Sequence, residues 1–319
     1  SELGCSCGIA VCILMIITCF IKCSSEEKPE QSSYGFIWYS LKWEQAMSGY
    51  ESPKKVRYCF YPLEKGAMIQ IESDTSGLKF TLPPDTYRLL VFNCDADNIQ
   101  FRNMNSFETA EAFIPETKAA GGTTSGRIPL YGIAIDNLVV EANNGTNNQR
   151  EFSPASLIRE VTLDIKVEGM EYIKECKGQL TGVPAAFNLS KQEIVLDRTT
   201  TVNFETTTSA EGIKTNVLIL GTPPKQGTTP PALPKNEVQL DFTLNDGSTT
   251  TSTLDLGNSI GETEGNKVNV DVSVTVEKDA SFTVTINKWE VSAGDIGNLC
   301  RKDGNGNTTG KSYNNGIRN

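Results

Sequence analysis

Apolar and polar positions alternate in strand-like fashion along much of the chain. Ile37, Tyr39, Leu41 and Trp43 fall on one face of residues 34–43, and Phe36 and Trp38 fall on the other. Residues 56–63 and 69–72 predict two further strands. Leu78, Phe80 and Leu82 alternate with Lys79 and Thr81 until Pro83-Pro84-Asp85 ends the strand, since neither proline carries an N–H for a ladder and Asp supports a turn. Leu89–Phe92 is a continuous apolar run between turn signals, which predicts a central strand buried on both faces. Residues 130–140 predict a strand or a short helix, and residues 107–114 are weakly patterned.

The second half repeats the pattern. Val161, Leu163, Ile165 and Val167 alternate with polar residues until Gly169. Met170, Ile173 and Cys176 have helical spacing, which predicts a short helix or turn before a return to strand at 178–183. Val202 and Phe204, then residues 216–220, predict strands, and Asn245-Asp246-Gly247-Ser248 predicts a hairpin turn between 238–244 and 249–256. Val268, Val270, Val272, Val274 and Val276 form the cleanest alternation, followed by 282–286 running into Trp289. Residues 119–126 and 221–234 read as exposed loops, the latter rich in proline.

These elements divide the 319 residues into an N-terminal β-sandwich at 34–140, a polar, Asn/Gly-rich linker at 141–158, a C-terminal β-sandwich at 159–295 and a disordered Gly/Asn-rich tail at 296–319. The fold class is all-β.

The N-terminus carries a different signal. Residues 9–18, IAVCILMIIT, are too short for a transmembrane helix, which needs ~20 apolar residues, and fit the apolar core of a signal peptide. Ile16-Ile17-Thr18-Cys19 resembles a bacterial lipobox: aliphatic, variable, small, then the cysteine to be lipidated. Cys23 is the alternative site, although Lys22 before it suits the cleaving peptidase poorly. On this reading 1–18 is a lipoprotein signal peptide and 19–33 a polar tether, whose acidic residues resemble the surface-export signal of Bacteroides-type lipoproteins.

Composition narrows the chemistry. A net charge of −10, from 39 acidic and 29 basic residues, argues against nucleic acid as a partner. The absence of histidine removes His-based triads, general bases and metal sites. Of the nine cysteines, Cys59, Cys94, Cys176 and Cys300 are far apart and form no paired metal motif; separate buried thiols are the expectation. Asn305–Ser312 approaches a phosphate-binding loop but lacks its first glycine and the strand-to-helix context. Asp95-x-Asp97 opens like a calcium loop but has Gln100 and Ser106 where Gly and Glu are needed. No catalytic fingerprint occurs, so no catalytic, cofactor or metal residue is assigned and the expected class is non-enzymatic. Trp38 and Trp43 could form a sugar-stacking platform, but aromatics at strand spacing favour core packing.

Two stretches resemble a known family. Residues 78–107, with LPPDTY, an apolar strand ending in Phe92-Asn93, and NIQFRN, are similar to the N-terminal domain of fimbrillin-associated anchor subunits of Bacteroides-type (type V) fimbriae. Residues 159–190, a strand followed by VEGMEYI and an LTGV strand, are similar to the opening of that family's C-terminal domain. The resemblance implies two transthyretin-like β-sandwiches in tandem. It implies a lipid-anchored minor fimbrial subunit, exposed at the outer-membrane surface, that joins fimbrillins or other fimbrial subunits by β-strand addition. The alternative is a surface glycan-binding lipoprotein, which requires aromatics exposed for sugar stacking.

Overall fold

The computed structural model describes residues 34–294 except 65, 116–126, 143–147, 225–233 and 280. It is nearly all β. The first half contains β1 (Gly35–Leu41), β2 (Val56–Pro62), β3 (Ile69–Ser73), β4 (Gly77–Leu82), β5 (Asp85–Asn93), β6 (Gln100–Arg102), β7 (Glu111–Phe113), β8 (Tyr131–Val140), β9 (Gln149–Phe152) and β10 (Ala155–Ser156). The second contains β11 (Ile158–Glu168), β12 (Ile173–Pro184), β13 (Ala186–Asn188), β14 (Glu193–Ile194), β15 (Thr199–Glu205), β16 (Thr207–Ser209) and β17 (Gly212–Leu220). It continues with β18 (Asn236–Leu244), β19 (Thr249–Gly257), the one-turn helix α1 (Ser259–Glu262), β20 (Lys267–Lys278) and β21 (Phe282–Ala293).

The alternation at the start of the chain produces the first sandwich. A three-stranded sheet, β4-β1-β9, faces a five-stranded sheet, β10-β8-β5-β2-β3. Ile37, Tyr39, Leu78 and Leu82 from one sheet pack with Val56, Phe60, Leu89 and Val91 from the other. The second sandwich pairs sheet β16-β17-β11-β20-β21 with sheet β15-β12-β18-β19. Its core contains all five alternating valines of β20, with Leu163 and Ile165 opposite Leu240 and Phe242. The hairpin turn forms as the sequence predicts: Gly247 has φ +84° and Asp246 Oδ1 accepts from Ser248 N at 2.8 Å.

The run Leu89–Phe92 is buried on both faces, and a third core shows why. Leu90 and Phe92 point away from the first sandwich toward a short sheet, β14-β13-β7-β6, joined by Cys59, Phe187, Leu189 and Leu220. That sheet crosses between the halves of the chain, because β7 pairs antiparallel with β13. Ile114 N donates to Ala185 O and Leu189 N to Ala110 O, each at 2.9 Å, extending the crossing. Residues 107–114, weakly patterned in sequence, are thus where the two halves join.

The structure differs from expectation in two further places. Residues 148–156, read as part of a linker, are built into the first sandwich: β9 adds in parallel to β1, and β10 adds to β8, while Ile158 already begins β11 of the second. Asn148 is buried and closes this return, donating to Glu141 O at 2.8 Å and accepting from Glu141 N at 3.0 Å. At 170–176 the helix is a single 3-10 turn, Met170–Tyr172, and Ile173 already begins β12. A bulge between Ile173 and Glu175 turns Ile173 and Cys176 to the same buried face, which mimics helical spacing.

Candidate functional site

Several sequence-predicted features lie outside the described residues: both lipidation candidates, Cys19 and Cys23, the loop 119–126, and the segment 305–312. Asp95 and Asp97 are described, and both support backbone. Asp95 Oδ2 accepts from Lys54 N at 2.7 Å and Lys55 N at 3.2 Å, and Asp97 Oδ2 accepts from Ile128 N at 2.8 Å. Beside them the buried Asn93 locks the ends of β5 and β8, accepting from Tyr131 N at 2.6 Å and donating to Pro129 O at 3.0 Å. Among the described residues, no cluster of three acidic or thiol side chains is arranged to hold a metal. Cys59, Cys94 and Cys176 are free thiols, and burial pushes Cys59 and Cys176 up to about 12. A raised, buried thiol such as Cys59 or Cys176 stays protonated near neutral pH, which disfavours its acting as a nucleophile.

Arg159, at the start of β11, has a structural role. Its guanidinium is buried and donates to the carbonyls of Ile260 at 2.7 Å and Gly265 at 3.0 Å, and also to Thr263 O. It thereby pins the segment around α1 onto β11. The cavity beside it, about 230 Å³, is lined by Pro184, Ile194, Ile219 and Ile260. The carbonyls already engage the guanidinium, and the largely apolar wall is completed by Lys191, Gln192 and Glu193.

The features that remain are surfaces. One is the open side of the second sandwich, where β19 and β21 are the last strands of their sheets. Beyond β21 there is no further strand among the described residues. Phe282, Val284, Ile286, Trp289 and Val291 all point toward the core, opposite the valine row of β20, yet each is only half-buried. Ile286 and Trp289 share a face despite their odd spacing because a bulge at Asn287 shifts the register. On the inner side of β19, Thr250 and Ser252 are small and half-buried, while Leu254 and Leu256 are buried in the core. An edge with a partly uncovered apolar row and unpaired backbone groups is a template for another strand.

The other surface is the outer face of β1. Phe36 is 43 % and Trp38 47 % exposed, and Tyr34, just before the strand, is 52 % exposed. Lys79 on β4 stands opposite Trp38, its ammonium 4.2 Å from the ring centroid. Trp43 behaves as expected of a core aromatic, with Nε1 donating to Thr75 O at 2.9 Å and its ring edge-on to Tyr131. Trp38 does not; the sequence signal was its position on the face of β1 opposite Ile37, Tyr39 and Leu41.

An all-β protein of packed sheets, with open sheet edges and an exposed aromatic face among its described residues, is the class that this geometry defines. Residues 37–205 match the family described as a domain of unknown function, DUF5119, and the chain belongs to that family. A candidate fimbrium anchoring subunit of Bacteroides ovatus, Fim4B, is 22 % identical over 53 % of this chain and 52 % of its own length. The chain thus matches about half the length of that curated relative. In fold it is similar to a candidate adhesin from Bacteroides ovatus, with TM-score 0.60 and 18 % identity over 88 % of this chain and 99 % of that one. It is also similar to the fimbrial anchor protein Mfa2 from Porphyromonas gingivalis, with TM-score 0.51 and 10 % identity over 80 % of this chain and 95 % of that one. The resemblance to anchor subunits of Bacteroides-type fimbriae, read from the sequence, is borne out.

Proposed function

We propose that this protein holds a fimbria at the bacterial surface, lipid-anchored through Cys19 (or Cys23) and joined to a fimbrial subunit by strand addition. The observation that carries the strand-addition part is the β21 edge: twelve residues long, last in its sheet, with a half-covered apolar row beneath it. A strand added there would gain main-chain hydrogen bonds along its length and bury alternate side chains against Val284, Ile286 and Trp289. The similarity to a fimbrium anchoring subunit supplies the fibre context. The lipobox-like Ile16-Ile17-Thr18-Cys19 and the polar stretch behind it supply the membrane end. The role is binding, with no substrate turned over.

The test combines a photo-crosslinking residue at Thr285, which is exposed on the edge strand, with a deletion strain. Crosslinks from Thr285 to a fimbrial subunit, and fibres shed into the medium on deletion, are the expected results. Recovery of no fimbrial subunit, with fibres still firmly attached in the deletion strain, rejects the proposal.

A further inference from the structure

We infer that the outer face of β1 is a membrane-contact face, on which Tyr34, Phe36 and Trp38 enter the boundary between lipid headgroups and acyl chains; this rests on the lipid-anchored reading above. Phe36 and Trp38 share the outer face of β1, and Tyr34 immediately precedes the strand two residues before Phe36, so the three exposed aromatics cluster within about 13 Å of chain. All three are about half exposed, in a protein whose other large aromatics are mostly core. Tyr and Trp rings favour the membrane interface over either water or the hydrocarbon interior, because they have an apolar body and a polar tip.

The position of the cluster in the chain selects the occupant. Fourteen residues lie between Cys19 and Tyr34. A chain of that length reaches at most about 50 Å, and a flexible one would span about 20 Å root-mean-square. An acylated Cys19 therefore keeps β1 close to the bilayer for most of the time, at a high effective concentration. Charge points the same way. The protein is acidic overall, so an anionic leaflet repels most of its surface, but Lys79 stands directly over Trp38 and Lys42 follows the end of β1. An ammonium beside an interfacial tryptophan can meet a lipid phosphate while its stem covers the ring. Opposing this, Lys42 is paired at 3.7 Å with Glu151 on β9, so Lys79 is the principal cation of the face.

The test uses the lipidated full chain, reconstituted into phosphatidylethanolamine–phosphatidylglycerol vesicles that carry brominated acyl chains. Quenching of tryptophan emission is compared with that of the Trp38→Phe variant. Trp43 and Trp289 lie inside or at the rim of the cores, so the quenched part of the signal should be lost in Trp38→Phe, and replacing Phe36 with Ser should reduce it. Vesicle-bound protein whose emission is unquenched overturns the contact face and leaves the anchor standing. Protein that does not sediment with vesicles overturns both. A shift of Trp38 emission on adding soluble glycans, with none on adding vesicles, overturns the inference and assigns the cluster to sugar stacking.

Discussion

Glu111 and Arg198 lie 2.9 Å apart across the seam between the two halves of the chain, and the same carboxylate oxygen accepts from Arg102 at 2.8 Å. Glu111 is almost fully buried, whereas both arginines are part-exposed, so the carboxylate is the member that cannot be rehydrated in place. Glu111→Ala should cost roughly 1.5–3 kcal/mol, the range for hydrogen bonds to a charged group. Arg198→Ala should cost less, because Arg102 still holds the carboxylate. Because the third core and the β7–β13 ladder span the seam, the loss should appear as one lowered urea transition rather than as separate melting of either half. Two resolved transitions, with only one moved by Glu111→Ala, would show the seam to be weaker than its hydrogen bonds imply.

Gly182 is the second test of the packing. It sits in the bulge of β12 with φ +67°, and a Cβ there would stand 1.9 Å from Lys235 O. Backbone strain of this kind costs on the order of 1–3 kcal/mol, and here a steric clash adds to it. Gly182→Ala should lower the melting temperature by several degrees, measured by near-ultraviolet circular dichroism. Gly247→Ala shares the positive φ but has open space around it, and should cost less.

The tyrosines of the first sandwich predict an alkaline limit. Burial raises Tyr39, Tyr58 and Tyr61, and pushes Tyr87 up to about 12, with nearby Asp85 adding to the effect. An unfolded tyrosine ionises near 10, so above that pH the unfolded chain releases protons that the folded chain keeps. The contribution is complete below about pH 10 and declines as the pH rises from there through the folded values. Stability measured by urea unfolding should therefore fall steeply between about pH 10 and 12. Tyrosinate absorbance at 295 nm should rise together with unfolding. A rise of the full tyrosinate signal in still-folded protein at pH 10 would contradict the burial of these hydroxyls.

Period-two patterning made most of the strands legible, because half-buried sheets impose it directly. The valine row of β20 and the hairpin at Asn245–Ser248 are the clearest cases. What it missed has a common physical cause. Bulges break the period, so Ile173 and Cys176 looked helical, and Ile286 and Trp289 did not look like neighbours on one face. Strands of three residues, such as β7 and β13, are too short to show a period, and their pairing depends on partners more than seventy residues apart. Trp38 was assigned to a core because aromatics usually pack there, although its place opposite Ile37 and Tyr39 already put it on the outer face. The open edge at β21 is a property of strand order, which alternation alone does not encode.

The parallel pairing of β9 with β1 has a mechanical consequence. β1 is the first described strand, and it is gripped on both sides: antiparallel by β4 from Gly35 to Ser40 and parallel by β9 from Trp38 to Leu41. Tension applied through the N-terminus pulls β1 along its own axis, so both ladders are loaded in shear and their hydrogen bonds share the force. A strand peeled from its end would release them one at a time. The return of residues 148–152 to the sheet therefore works as a clamp on β1, and under the proposed anchoring role the resistance of the fold to a pull on its N-terminal end would be set by the rate at which that clamp yields.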